Sequence, residues 1–392
     1  MANLIRQPRP IFLPFSPPTI SEEEIAAVVD TLRSEWITTG PKTKQFEQDF
    51  AAYLGAESAL ALNSCTAALH LALAALDIGP GDEVITTPMT FCSSVNVIEH
   101  VGATPILVDI EPDTLTIDPQ RCADAATPRT RAILPVHYAG HPVEMRPLLE
   151  LAHERGLYLV EDAAHALPAT YEGKKIGTLG DLTAFSFYAT KNLTTAEGGM
   201  LTGAPDLVDK ARILSLHGMS RDAWKRYEKS GSWYYEVVAL GFKYNMTDIQ
   251  AAIGQVQLRR LESMQQRRRE VVAQYNAAFG EDEALQIPTE RPGMESAWHL
   301  YVLRLNLDRL TIDRSQFIEE MRARNIGTSV HFIPIHLHPY YRNKYGFQPE
   351  DFPIAYREYQ RVVSLPLHPG LTDEDVADVI AAVKDIVNRH RC

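Results

Sequence analysis

The sequence predicts an α/β fold, a mostly parallel central sheet flanked by helices, followed by a smaller C-terminal α+β domain. Three observations carry that prediction. From Ser21 to about residue 215, short apolar runs alternate with helical stretches, and helices of this length between strands are right-handed crossovers of a parallel sheet. At 392 residues the chain is longer than one minimal domain requires. After the long helical stretch Thr247 to Phe279 the pattern becomes a strand, a helix and a strand again. The division expected is residues 1–260 for the large domain, with its N-terminal arm, and residues 261–392 for the small one.

In chain order, Ser21 to Ser34 reads as the first helix, opened by a capping box of Ser21 and Glu24. Thr66 to Leu76 is apolar enough for a buried helix, and Gly79-Pro80-Gly81 ends it. Glu83 to Thr87 is a strand, followed by a helix through Glu99 and the strand Pro105 to Ile110. Arg131 to His137, Leu157 to Glu161 and Thr183 to Tyr188 are further strands, and Val143 to Arg155 is a helix. Thr247 or Asp248 caps the long helix, on which Arg267-Arg268-Arg269 reads as a solvated face. Beyond it, His299 to Asn306 and Gly327 to Phe332 alternate like strands. Arg314 to Asn325 and Asp373 to Asn388 read as helices.

Hydrophobic residues are 45 % of the chain and charged residues 22 %, an ordinary globular balance. The net charge of −12 argues against nucleic acid or an anionic membrane as partner, while leaving room for a local basic pocket. Met1 to Pro18 shows neither a signal-peptide pattern nor a membrane span. Cys65, Cys92, Cys122 and Cys392 lack zinc-type spacing, so free thiols in the cytoplasm are expected.

Four features sit at predicted strand ends or helix starts, where parallel sheets place their ligands. Asn63 to Ala68 opens the buried helix with small hydroxyl and thiol residues, which suits either a phosphate or a plain cap. Glu161-Asp162-Ala163-Ala164-His165 ends an apolar strand, and a buried carboxylate there needs a cationic partner such as a pyridinium nitrogen. Ser186 to Lys191 carries a strand into a loop lysine; a lysine becomes a useful amine when its surroundings lower its pKa, as for Schiff-base formation. Gly241 to Asp248 precedes the long helix and leaves Lys243 and Asn245 free to meet a ligand or a second subunit.

Together these stretches resemble the DegT-type sugar aminotransferases, a fold-type-I family dependent on pyridoxal 5'-phosphate. The likeness runs from Trp36-Ile37-Thr38-Thr39-Gly40-Pro41 to Ser364-Leu365-Pro366-Leu367 and rests on Asp162, the Ser186 to Lys191 spacing and the Lys243-Tyr244-Asn245 turn. Leu13 to Ser16, Trp36 to Pro41, Pro135 to Gly140 and Glu161 to Ala166 are especially similar to the branch that forms UDP-4-amino-4-deoxy-L-arabinose with oxoglutarate as co-product. The resemblance implies that Lys191 carries the cofactor and Asp162 partners its ring nitrogen. It implies phosphate contacts from Cys65, Thr66 and Ser186, and one from Asn245 of a neighbouring subunit. Phe91 and His165 match residues lying against the ring, with phenylalanine where the arabinose branch has tryptophan.

The function implied is transfer of an amino group from L-glutamate, leaving 2-oxoglutarate, to the keto carbon of a nucleotide-linked keto sugar. The arabinose-like stretches favour C4; C3 amination and a non-catalytic cofactor-binding regulator are the alternatives. Homodimers with shared sites are expected. Candidate sugar contacts are Trp36, Thr38, His137 and the segment His331 to Tyr341, with His331, His336 and Tyr340 foremost. A metal site is not expected from the histidines, because Pro334 breaks their spacing and no carboxylate accompanies them. The dehydratase relatives replace the lysine with histidine, and a nicotinamide enzyme would need a G-x-G-x-x-G turn that is absent.

Overall fold

The computed structural model describes residues 9–34, 36–220 and 234–392. The first eight residues of the expected N-terminal arm lie outside them.

Helix α1 (Glu22–Arg33) starts at Ser21, whose side chain and that of Glu24 form the expected capping box. Helix α2 (Pro41–Leu54) has proline in its first turn and ends at Gly55, whose φ of +79° suits glycine. The alternating region follows as β1 (Ser58–Leu62), α3 (Cys65–Ala75), β2 (Glu83–Thr86), α4 (Ser93–His100), β3 (Thr104–Leu107), α5 (Pro119–Ala125), β4 (Thr130–Ile133), α6 (Met145–Arg155) and β5 (Tyr158–Asp162). Two short strands, β6 (Thr170–Tyr171) and β7 (Lys174–Lys175), precede β8 (Leu182–Ser186), β9 (Gly199–Gly203) and α7 (Pro205–Ser215).

Seven strands form the main sheet in the order β1-β9-β8-β5-β4-β2-β3. β9 runs antiparallel to both β1 and β8, and the other pairings are parallel. The carboxyl ends of β1, β2, β4, β5 and β8 therefore open on one side. Buried side chains cover both faces: Phe46, Phe50, Phe185 and Phe187 belong to one cluster, and Leu69, Leu71, Val84 and Val160 to the other. Helix α3 is buried almost all round, as its apolar sequence requires.

Helix α8 (Asp248–Phe279) starts at Thr247, in a capping box with Gln250. Asp248 instead serves another helix. Its buried carboxylate accepts hydrogen bonds from the backbone N–H groups of Gly40, Lys42 and Thr43 and from the Thr43 hydroxyl, satisfying donors at the start of α2. The rest comprises β10 (Leu285–Gln286), β11 (Met294–Glu295), β12 (Tyr301–Leu305), α9 (Arg314–Ala323), α10 (Pro339–Tyr345), α11 (Pro353–Arg361), β13 (Val362–Leu365) and α12 (Asp373–Arg389). β10, β12 and β13 make an antiparallel sheet, and β11 pairs with β6.

Ala251, Leu258 and Leu261 of α8 pack into the main-sheet core, whereas Val271, Val272, Tyr275 and Phe279 pack into the small-domain core. The change of allegiance falls inside one unbroken helix, with no linker between the two cores.

Two expectations are corrected. Arg267 to Arg269 is not wholly a solvated face. Arg268 is buried, donates to the carbonyls of Leu367 (2.8 Å) and Trp298 (3.3 Å), and has its pKa lowered to about 9 by that burial. Gly327 to Phe332 is not a strand; only Ser329 bridges to Ser364. The N-terminal segment takes the place of a strand partner here, with Leu13 N–H donating to Asn325 O and Gly327 N–H to Leu13 O, each at 2.8 Å.

Candidate active site

The carboxyl ends of the parallel strands bring together residues far apart in the sequence. Asp162 ends β5, Ser186 ends β8 with Lys191 on the loop beyond, Cys65 and Thr66 begin α3 just after β1, and Phe91 lies between β2 and α4. Lys191 interacts electrostatically with Asp162, Cys65, His165, His299 and His331. Burial lowers its amine to about 8, partly opposed by the nearby Cys65 and Asp162.

The loop that carries Lys191 is fastened on both sides. Its backbone N–H donates to Tyr188 O at 2.9 Å. The next side chain, Asn192, donates its amide to Leu167 O and Ala297 O, and its oxygen meets Nδ1 of His299 at 3.2 Å. Because that oxygen can only accept, His299 presents a protonated Nδ1.

Asp162 is buried, and burial raises its pKa against the lowering effect of its hydrogen bonds. Ser94 Oγ donates to Oδ2 at 2.7 Å, and the Ala164 N–H to Oδ1 at 3.1 Å. Two donors leave acceptor capacity on a carboxylate that can take about four, so a cationic N–H placed against it would relieve its desolvation.

At the start of α3, Ser64 Oγ accepts from the Ala67 N–H, while Thr66 stands exposed. Strand β9 reaches this turn only because residue 199 is glycine. A Cβ there would lie 2.5 Å from the Ser64 carbonyl carbon and 2.6 Å from the Cys65 nitrogen. Strand and helix start thus form a cradle of backbone N–H groups at the positive end of a helix dipole, which suits a phosphate. The buried carboxylate, the lowered amine and this cradle match the ring nitrogen, aldehyde and phosphate of pyridoxal phosphate.

Aromatic groups flank the same opening. Phe91 is 59 % exposed, large for an apolar ring beside a buried acid, and its centroid lies 6.1 Å from that of Phe332. Phe332 stacks on His165 at 5.7 Å, and His165 lies 4.4 Å from His299. Burial, together with Lys191, drives His165 well below the ordinary imidazole range. Its Nδ1 accepts from the Ala139 N–H, so the ring is neutral with its proton on Nε2. His331 is lowered to about 4 by burial and Lys191, and its Nδ1 meets Ser364 Oγ at 2.9 Å.

Three candidates for the sugar are not brought to this opening. His137 is fully buried: its Nδ1 accepts from the Val143 N–H at 3.0 Å, leaving Nε2 to donate to Glu161 at 2.9 Å, so neither nitrogen is available. His336 is fully buried against Phe352. Tyr340 is exposed but donates to Glu99, at the opposite end of α4 from Phe91 and Ser94.

Trp36 and Thr38 precede α2, and the Trp36 indole donates to Thr39 O. Trp36 lines a cavity of about 890 Å³ at the open edge of β1, together with Lys44, Arg212 and Asn245. Lys191, Asp162 and Cys65 do not line it. Asn245 bridges to Leu62 and donates to Thr39 Oγ1, which places it behind the start of its own α3. Ser94, His299 and Phe332 complete the opening; Phe332 belongs to the segment expected to meet the sugar, whereas Ser94 and His299 were not among the expected residues. Ser94 looks like any helical hydroxyl, and His299 lies at the edge of an apolar run.

Residues 18–384 match the DegT/DnrJ/EryC1/StrS aminotransferase family. The uncharacterized protein MJ1066 of Methanocaldococcus jannaschii is 56 % identical over 98 % of this chain and 100 % of its own length. The spore coat polysaccharide biosynthesis protein SpsC of Bacillus subtilis is 54 % identical, over 97 % of this chain and 98 % of its own. Among solved structures, Spr1654 of Streptococcus pneumoniae superposes with a TM-score of 0.90 at 39 % identity in its PMP and PLP forms. The match covers 96 % of this chain and 98 % or 99 % of Spr1654.

Proposed function

Because this chain belongs to the DegT/DnrJ/EryC1/StrS aminotransferase family and is a pyridoxal-phosphate-dependent sugar aminotransferase, we propose that it moves an amino group from L-glutamate to C4 of a nucleotide-linked keto sugar. The single observation that carries the site assignment is the convergence of the Lys191 amine, the buried Asp162 carboxylate and the α3 cradle at the carboxyl ends of one sheet. The C4 assignment and the donor rest on the likeness to the arabinose-forming branch. SpsC, named for polysaccharide biosynthesis, supports a sugar acceptor.

When bound, the cofactor supplies an aldehyde that takes up the donor nitrogen and a ring that receives electron density from the breaking bond. The chain supplies the rest. The backbone N–H groups at Cys65 and Thr66, with the Ser186 hydroxyl, hold the phosphate. Asp162 keeps a proton at the ring nitrogen. Lys191 would anchor the aldehyde and, once displaced, would carry the proton from the donor α-carbon to the cofactor's C4′. An amine held near 8 is neutral often enough at working pH to accept that proton. Phe91 and the neutral His165 cover the ring and exclude water; His331 meets the sugar nucleotide in the same subunit, and Trp36, which shares the edge cavity with Asn245, meets it from the neighbouring one. In this reading the protein is a cytoplasmic homodimer, and Asn245 of one subunit reaches the phosphate in the other.

Borohydride reduction followed by peptide mapping tests the anchor, and a label on any residue but Lys191 sinks it. Incubation with glutamate and a panel of UDP-, GDP- and dTDP-linked 4-keto and 3-keto sugars tests the acceptor. Amination of 3-keto sugars alone would overturn the C4 assignment while leaving the anchor standing.

A further inference from the structure

Ser94 is the least exposed polar group at the site, and its hydroxyl stands at the centre of a short chain. Its Oγ lies 2.7 Å from Asp162 Oδ2, 2.7 Å from Thr90 Oγ1 and 3.3 Å from Phe91 O. Both hydroxyls are buried, and among the described residues Thr90 Oγ1 bonds only Ser94. A serine hydroxyl has one proton and two lone pairs. An ionised carboxylate can only accept, so Ser94 must spend its proton on Asp162 and Thr90 must donate to Ser94. With Asp162 protonated, the acid donates to Ser94, and Ser94 turns to Thr90 or to Phe91 O. The direction of the chain is therefore set by the charge on Asp162, and two donors in series favour the ionised form.

We propose that Ser94, backed by Thr90, is a positioning residue that holds the Asp162 carboxylate ionised and aimed at the ring nitrogen of the cofactor, an inference resting on the role given to Asp162 above. The charged and titratable groups around that carboxylate come from three other elements: Lys191 on the loop after β8, His137 after β4, and Cys65 at the start of α3. None of them donates a hydrogen bond to it. Ser94 does, from a fourth element, and the first turn of α4 fixes its position.

The test uses holoenzyme loaded with pyridoxal phosphate labelled with ¹⁵N at the ring. The ring-nitrogen chemical shift, followed against pH, reports its proton directly and is independent of turnover. In the wild type the nitrogen holds its proton through neutral pH. In Ser94→Ala the carboxylate loses a donor and becomes the stronger base, so the proton moves from the ring toward Asp162: at neutral pH the nitrogen shift moves toward that of an unprotonated ring, the ratio of the two forms changing by roughly tenfold, as expected for losing a hydrogen bond to a charge. Thr90→Val, which keeps the shape and removes the hydroxyl, moves the shift the same way by less, and Thr90→Ser leaves it unchanged. Should Ser94→Ala fail to fold, the two Thr90 variants decide the matter alone. Wild-type curves for both Ser94→Ala and Thr90→Val overturn the inference. A wild-type nitrogen without its proton at every pH overturns the Asp162 assignment, and this inference with it.

Discussion

Glu161 and Asp162 are adjacent on β5, and strand alternation sends their carboxylates to opposite faces of the sheet. Both are buried. Glu161 is held by three donors of its own chain: one oxygen accepts from the Gly180 N–H and the Thr183 hydroxyl, the other from His137 Nε2, each within 2.9 Å. Asp162 has one donor on each oxygen and an amine nearby. The difference separates a carboxylate that ties strand ends together from one left incomplete for a ligand. Burial alone does not distinguish them; the count of donors does.

Variants on the two faces should therefore fail in different ways. The largest effect is expected for Lys191→Ala, which should cut turnover by more than about 10³-fold and abolish the visible absorbance of lysine-bound cofactor, while the protein still folds. Asp162→Asn should lower kcat by on the order of 10²–10⁴-fold without loss of folding. Glu161→Gln should instead cost about 1–3 kcal/mol in urea unfolding, because one donor loses its acceptor, and leave kcat per folded molecule unchanged. A Glu161→Gln protein that folds normally yet fails to turn over would break the comparison.

Smaller effects follow. Gly199→Ala should push β9 away from the start of α3 and weaken cofactor affinity by about tenfold or more, measured by fluorescence titration, with a lesser effect on kcat at saturation. The apoprotein should also show a pH-dependent cost at Lys191. Its folded pKa, about 8, lies below the usual 10.5, so the unfolded chain binds the extra proton between those values. Stability attributable to this lysine rises through that window and is lost as pH falls through 8. Apo Lys191→Met should therefore be more stable than wild type at pH 7, with an advantage that shrinks between pH 8 and 10.5 in thermal scans.

Much of the candidate site could be read from strand ends. Asp162 closes an apolar run and Lys191 follows another, and a parallel sheet collects such ends on one side. The fold class was legible for the same reason, in the spacing of strands and crossover helices. Ser94 and His299 were not legible, because their roles come from contacts made across the sheet rather than from local pattern. His137 and His336 were misjudged because a histidine near a strand end faces either the opening or the interior, and the sequence does not say which. Arg268 did leave a signal: it continues the spacing of Leu261, Met264, Val271, Val272 and Tyr275 on the inward face of α8.

Helix α8 has 32 residues, about 48 Å at 1.5 Å per residue, and enters one core before leaving through the other. A single rigid rod threaded through both cores leaves no pliant joint along its length. Relative movement of the two halves must be taken up by the other crossings, such as the chain from Ala297 to Leu300 beside Lys191. Severing the protein near residue 260 would strand half of the rod in each fragment, each with one apolar face uncovered. The two cores are mechanically one object, and a perturbation of the small domain is delivered to the foot of the Lys191 loop through His299 and Asn192.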